Sequence, residues 1–309
     1  MLLRVFSASL LIALASVASA QPSADDLYDA FSEGDIDAVA KALNEGLDPN
    51  ARDEWGDPLL YSAVGEGEES VAICKLLIER GADVNIKNKE YASTVVGNAA
   101  YVGNEPLVDL LIKHGADINA TDRYGSTAVD DAAFGGQKAM VEKLERLGVK
   151  SKYPLHVAAG IGDVAAIERL TAGKHKVDEV FRGWRNTPLA FAVAGNQPEA
   201  ARLLLGMGAN PNVPDVNHEF PLSLAVWAES SEMCELLIEA GADVNARVGD
   251  EMSILDSALD AVEYDEGDAS IVELLKSHGA RRGDNLPRGK ANFAWWGMAM
   301  MKQQTKTAE

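Results

Sequence analysis

Leu236-Leu-Ile-Glu-Ala-Gly-Ala-Asp-Val-Asn245 decides how this chain folds, because the chain repeats it. The phrase returns as Leu76-Leu-Ile-Glu-Arg-Gly-Ala-Asp-Val-Asn85, Leu110-Leu-Ile-Lys-His-Gly-Ala-Asp-Ile-Asn119 and Leu203-Leu-Leu-Gly-Met-Gly-Ala-Asn-Pro-Asn212. Weaker copies stand at Ala42-Leu-Asn-Glu-Gly-Leu-Asp-Pro-Asn50 and Leu274-Leu-Lys-Ser-His-Gly-Ala280. Between them lies a second phrase: Pro154-Leu-His-Val-Ala-Ala159, Thr187-Pro-Leu-Ala-Phe-Ala192 and Pro221-Leu-Ser-Leu-Ala225. Pro188 to Pro221, Pro221 to Ile254 and Val95 to Ala128 are each 33 residues apart. A fixed period of this length is the signature of stacked supersecondary units.

One unit can be built from its residues. Thr187 supplies an N-cap, and Pro188 takes the first helical position, where a missing N–H costs nothing. A short helix of small residues runs to a turn at Gly195-Asn196. A second helix, Pro198 to Gly206, is expected to bury Ala201 and Leu203-Leu204-Leu205, and Gly208 fits the left-handed residue that closes a helix. Alanines at the helix contact let the antiparallel pair approach closely. No unit buries its apolar face alone, so neighbours must stack.

The period, the Pro-Leu-His opening, the Ala-Ala pair and the Gly-Ala-Asp-Val-Asn ending resemble the ankyrin repeat. The resemblance implies an all-α solenoid of about eight helix-turn-helix units with short β-hairpin fingers. Units open near Ala24, Pro58, Thr94, Thr127, Pro154, Thr187, Phe220 and Ser253. The chain also departs from the pattern. Ala128 to Pro154 is only 26 residues, so the fourth unit lacks its projecting hairpin at Val149-Lys150-Ser151-Lys152. The fifth ends in Ala172-Gly-Lys-His-Lys-Val-Asp178 instead of Gly-Ala-Asp. The expected domain, 21–284, can therefore kink into sub-blocks 24–150 and 151–284, with a polar first helix acting as a cap.

Residues 1–20 read as a cleaved signal peptide. Arg4 is followed by an apolar core around Leu10–Ala15 and by Ala18-Ser19-Ala20. The apolar stretch is short of the roughly 20 residues that cross a bilayer. The expected location is therefore periplasmic or secreted. Formal net charge is −20, which excludes a nucleic-acid partner, since phosphate binding needs clustered Lys and Arg. It fits either simple solubility or steering of a basic partner. Cys74 and Cys234 fall at one repeat position five units apart, at about 10 Å per packed layer. That is too far for a disulfide.

Chemistry finds no foothold. His114, His156, His175, His218 and His278 are scattered, and none stands at metal-ligand spacing from Cys or His. There is no Gly-x-Ser-x-Gly elbow, and Gly283 to Lys290 misses a phosphate loop by spacing and by Ala291. Arg282-Gly283-Asp284 reads as a chance tripeptide, and Asn119-Ala-Thr121 as a glycosylation sequon relevant only in a eukaryotic secretory pathway. The acidic runs Glu66–Glu69 and Glu263–Glu266 are expected in solvated turns. The expectation is a non-catalytic protein without cofactor or metal.

In ankyrin proteins the binding surface is usually the concave side, and two aromatic rows map there through the resemblance. Trp55, Tyr124 and Trp184 fall at finger tips. Tyr101, Phe134 and Trp227 follow the small-residue pair of the first helix. Packing against neighbouring units and contact with a partner both fit, because Trp and Tyr dominate binding hot spots. Glu54, Asp57, Asp130 and Asp131 beside them would favour a basic patch on that partner. The expected function is protein–protein interaction, with an immunity-type inhibitor of a toxin or phospholipase, or a secreted effector, as specific versions. The tail, 285–309, carries Phe293, Trp295 and Trp296 among basic residues. It can cap the stack, bind a partner, or lie at a membrane interface.

Overall fold

The computed structural model describes residues 22–172, 176–248, 252–265 and 267–283. Over these run eight consecutive helix pairs, as the repeat phrases predict. A 3₁₀ turn, Asp25–Leu27, leads into α1 (Tyr28–Glu33), which pairs with α2 (Ile36–Asn44). Then come α3 (Leu59–Ser62) with α4 (Glu68–Glu79), α5 (Val95–Tyr101) with α6 (Glu105–Lys113), and α7 (Ala128–Phe134) with α8 (Lys138–Arg146). The second half holds α9 (Pro154–Gly160) with α10 (Val164–Thr171), α11 (Pro188–Ala194) with α12 (Pro198–Gly206), and α13 (Pro221–Trp227) with α14 (Ser231–Glu239). Last are α15 (Ile254–Asp265) and α16 (Ala269–Ser277). From α3 to α15 the first helix of each pair packs on the first helix of the next, giving an inner layer backed by the second helices.

The same physics recurs in each pair. Thr94 and Thr187 cap α5 and α11, their hydroxyls accepting the N–H of Gly97 and Ala190 at 2.9 and 3.3 Å. Asp35, Asn104, Asp163 and Asp268 cap second helices in the same way. Ala99, Ala132, Ala158, Ala192, Ala225 and Ala258 are buried at one position of the inner layer. Leu77, Leu111, Leu144, Leu204, Leu237 and Leu275 are fully buried at one position of the outer layer. Leu203 and Leu205, expected inside with Leu204, are only half-buried, because a helix turns about 100° per residue and three consecutive side chains cannot share one face. Cys74 and Cys234 are free and buried within α4 and α14. Burial pushes both thiols up to about 12.

The fingers hold less strand than the resemblance implies. A two-residue antiparallel ladder, Arg247–Val248 with Met252–Ser253, opens the last unit. Single bridges join Arg52 to Pro58 and Lys87 to Thr94. An Asx turn closes the finger, with or without a bridge: the Asp122 carboxylate accepts the N–H of Tyr124 and of Ser126, both at 2.8 Å. Asp53, Asn88 and Asp215 do the same. The run at Glu263 is not a turn, because α15 continues through Asp265, and Glu68 and Glu69 open α4.

Asparagines that end the repeat phrase tie each unit to the next. Asn85 donates to the Gly115 carbonyl at 3.1 Å and accepts the Asp117 N–H at 2.8 Å. Asn50, Asn212 and Asn245 make the same two-way bridge. The ladder breaks at the short fourth unit. Among the described residues no such bridge leaves Asn119, and Asp178 in the fifth unit can only accept, taking the Asn210 N–H at 2.9 Å.

Helices on either side of residue 150 nevertheless pack together. α7 touches both α9 and, two units on, α11. The close approach is set by glycine. A Cβ on Gly160 would stand 2.1 Å from the Ala133 carbonyl oxygen, and one on Gly195 would stand 2.1 Å from that of Gly160.

Candidate functional site

Both aromatic rows lie where the inner helices and fingers meet, but they are not equivalent surfaces. At the first finger Trp55 is 49% exposed, and its ring lies 6.3 Å from that of Tyr28, itself 57% exposed. The finger backbone is fixed there, since the Glu54 N–H donates to Asp25 at 2.7 Å.

Tyr124 and Trp184, expected to point into solvent, are half-buried against each other. Their rings meet edge to face at 4.9 Å, and Tyr91 completes the trio at 4.7 Å from Trp184. The indole N–H of Trp184 donates to the Asp122 carboxylate at 2.7 Å across 62 residues. The cause is the missing hairpin at 149–152. With no finger between them, the loop before α11 reaches the finger before α7. Phe181 occupies the finger position held elsewhere by Asp or Asn. It is buried there, stacked on Tyr153 at 4.1 Å. His156 sits beside them, its Nε2 3.1 Å from the Asn186 carbonyl and its ring edge-on to Phe191.

In the second row Tyr101 stacks on Phe134 at 6.5 Å, and Phe134 meets Phe191 edge to face at 5.0 Å. These three rings form a continuous strip on the inner layer. Trp227 lies apart, and its indole opposes the rise that burial imposes on the Glu219 carboxyl. Tyr91 and Phe191 were not among the expected residues. Tyr91 comes one position late in a finger that carries an extra residue, and Phe191 lies inside the small-residue phrase.

The acidic neighbours behave unlike a charged rim. Of Glu54, Asp57, Asp130 and Asp131, only Glu54 is exposed. Asp130 belongs to the capping box of α7, accepting the Thr127 N–H at 2.9 Å and its hydroxyl at 2.7 Å, together with the Ser151 hydroxyl. Asp131 accepts the Ser126 hydroxyl at 2.6 Å. Burial, reinforced by Asp122 and Asp130, pushes Asp131 up to about 8. Burial with Asp53 and Glu90 nearby pushes Asp57 up to about 7, and burial with Glu219 nearby does the same to Asp215. Among the described residues no group of three or more His, Cys, Asp and Glu is placed to hold a metal ion, and no helix is long and apolar enough to cross a membrane. Phe293, Trp295 and Trp296 lie outside the described residues, as does the proposed signal segment 1–20.

These features define a helical-repeat solenoid that presents a ridged inner face. The family model for ankyrin repeats, described as carrying three copies, matches residues 27–122, 69–153 and 155–248. The chain belongs to the ankyrin repeat family, and its repeats make it a protein–protein interaction module. Among curated proteins it is similar to human "SH3 and multiple ankyrin repeat domains protein 2". That match is 30% identical over 213 residues, 65% of this chain and 11% of the relative. Human "Transient receptor potential cation channel subfamily A member 1" is 35% identical over 103 residues, 32% of this chain and 9% of the relative. A "Putative ankyrin repeat-containing protein" of Treponema pallidum (strain Nichols) is 36% identical over 93 residues, 30% of each chain. The chain thus spans about a tenth of the first two relatives, 11% and 9%.

Proposed function

We propose that this is an exported, non-catalytic binding protein that takes its partner in the groove formed by its fingers and inner helices. The observation that carries the reading is the Tyr28–Trp55 pair, two large rings left exposed at one end of that face. Exposed aromatics of this size are what interface hot spots use. The half-buried rings of Tyr101 and Phe134, backed by the buried Phe191, continue the apolar surface inward, and a formal charge of −20 favours a partner with a basic patch. The signal pattern Met1–Ala20 supports export to the periplasm or beyond. An inhibitor that plugs a toxin or phospholipase would use the groove in the same way.

The test is affinity capture of the mature chain from envelope extract, beside the double variant Trp55→Ala, Tyr28→Ala. Both residues are exposed, so the variant should melt with the parent while losing most of its captured partner. Undiminished capture by a folded variant would sink the groove reading.

A further inference from the structure

We propose that the groove of this chain is occupied, when no partner is bound, by the chain's own C-terminal tail. The inference rests on the groove reading above and adds a resident ligand to it. The described structure ends at a fixed exit point on the finger side. The Arg281 N–H donates to Asn245 at 2.9 Å, and Arg282 Nε and the Gly283 N–H donate to Asp256 at 2.8 and 2.6 Å. Arg247, on the last finger, donates to the Gly283 carbonyl at 2.5 Å. Asp256 lies in the first turn of the inner helix α15. The tail therefore leaves beside the inner layer, at the base of the last finger.

Charge and length then select the occupant. The chain carries 28 Lys and Arg against 48 Asp and Glu. Beyond Gly283 the balance reverses: Arg288, Lys290, Lys302 and Lys306 stand against Asp284 and Glu309. This basic segment also holds Phe293, Trp295 and Trp296. At about 3.3 Å per extended residue, Lys290 reaches about 23 Å from Gly283 and Phe293 about 33 Å. Packed layers are about 10 Å apart, so these distances cover the inner positions of the last three or four units. Asp260 occupies in α15 the repeat position of Trp227, and Asp260 and Glu263 are exposed. Arg288 and Lys290 pair with these acids, and the tail aromatics come to rest on the inner row between Trp227 and Phe134. The Tyr28–Trp55 end stays open, and a partner that reaches beyond it to these inner positions must displace the tail.

Two measurements on the full mature chain decide it. The first is zero-length carbodiimide cross-linking at low protein concentration, mapped by mass spectrometry. It should join Lys290 to Asp260 or Glu263 within one chain. Links that run only to the outer helices α14 and α16, or only between chains, overturn the proposal. The second is trypsin cleavage after Arg288 and Lys290, compared with the double variant Asp260→Lys, Glu263→Lys. Loss of docking should speed cleavage about fivefold or more at unchanged melting temperature, because cleavage tracks the open population. Equal rates overturn the proposal. Neither readout includes a partner, so failure here leaves the groove reading to its own capture experiment.

Discussion

Asn85 and Asn119 occupy the same place in the repeat phrase and do different work. Asn85 satisfies a carbonyl and an N–H of the next unit, whereas among the described residues Asn119 makes no such bridge to the unit that follows it. Each net hydrogen bond contributes about 1 kcal/mol. Asn85→Ala should therefore lower stability by about 1–2 kcal/mol in urea unfolding. Asn119→Ala should leave the midpoint almost unmoved. A second contrast concerns glycine. Gly160→Ala drives a methyl into the Ala133 carbonyl and should cost about 1–3 kcal/mol by overpacking. At Gly206, the end of α12, an added methyl would find nothing within 4 Å, so Gly206→Ala should stabilise by about 0.4–1 kcal/mol. Comparing the two by chemical denaturation checks both signs. The phrase itself shows where the asparagines and glycines stand, but not which of them make contact, because contact depends on the unit that follows.

At the scale of helices and fingers, the sequence was most legible where the physics is local. Thr187-Pro188 and the Gly-Ala-Asp-Val-Asn ending specify caps and turns within a few residues, and the eight unit openings follow from them. The missing hairpin at 149–152 was legible too. Its consequence was not, since Trp184 and Asp122 lie 62 residues apart and meet only because the intervening finger is absent. Asp130 and Asp131 look like surface acids in sequence, and the capping box and Ser126 turn them inward. The finger contact makes a clear prediction. Trp184→Phe keeps the ring but loses the N–H bond to a carboxylate, which is worth about 1.5–3 kcal/mol. Trp184→Ala removes the ring contacts with Tyr91 and Tyr124 as well, and should cost more. A double-mutant cycle with Asp122→Ala, which removes the acceptor, measures the coupling; additive losses would mean that the bond contributes nothing.

For the whole molecule, the buried carboxylates set the dependence on pH. Asp57 and Asp215 titrate at about 7 and Asp131 at about 8, all above the ordinary aspartate value of 3.8. The folded chain thus holds protons that the unfolded chain has released, and stability falls as pH rises from about 4 to about 8. Asp256 runs the other way. Burial raises it, but hydrogen bonds from Ser253, Gly283 and Arg282 outweigh that and hold it below 3.8. Its contribution is lost as pH falls below about 4. Melting temperature should therefore peak in mildly acidic buffer, and Asp131→Asn should raise it at pH 8 and flatten the alkaline side of the curve. An unchanged curve in that variant would place the titrating group elsewhere.

The broken asparagine ladder has a mechanical consequence. A solenoid stretched from its two ends carries load through each junction in series, and it should yield first at the weakest. The rung absent after Asn119 marks that junction, and the Trp184–Asp122 contact spans it as a brace between fingers that are not neighbours. Under tension the brace and the junction must give together. The middle of the chain should then rupture as one large step in a force-extension trace, while the flanking units peel away singly.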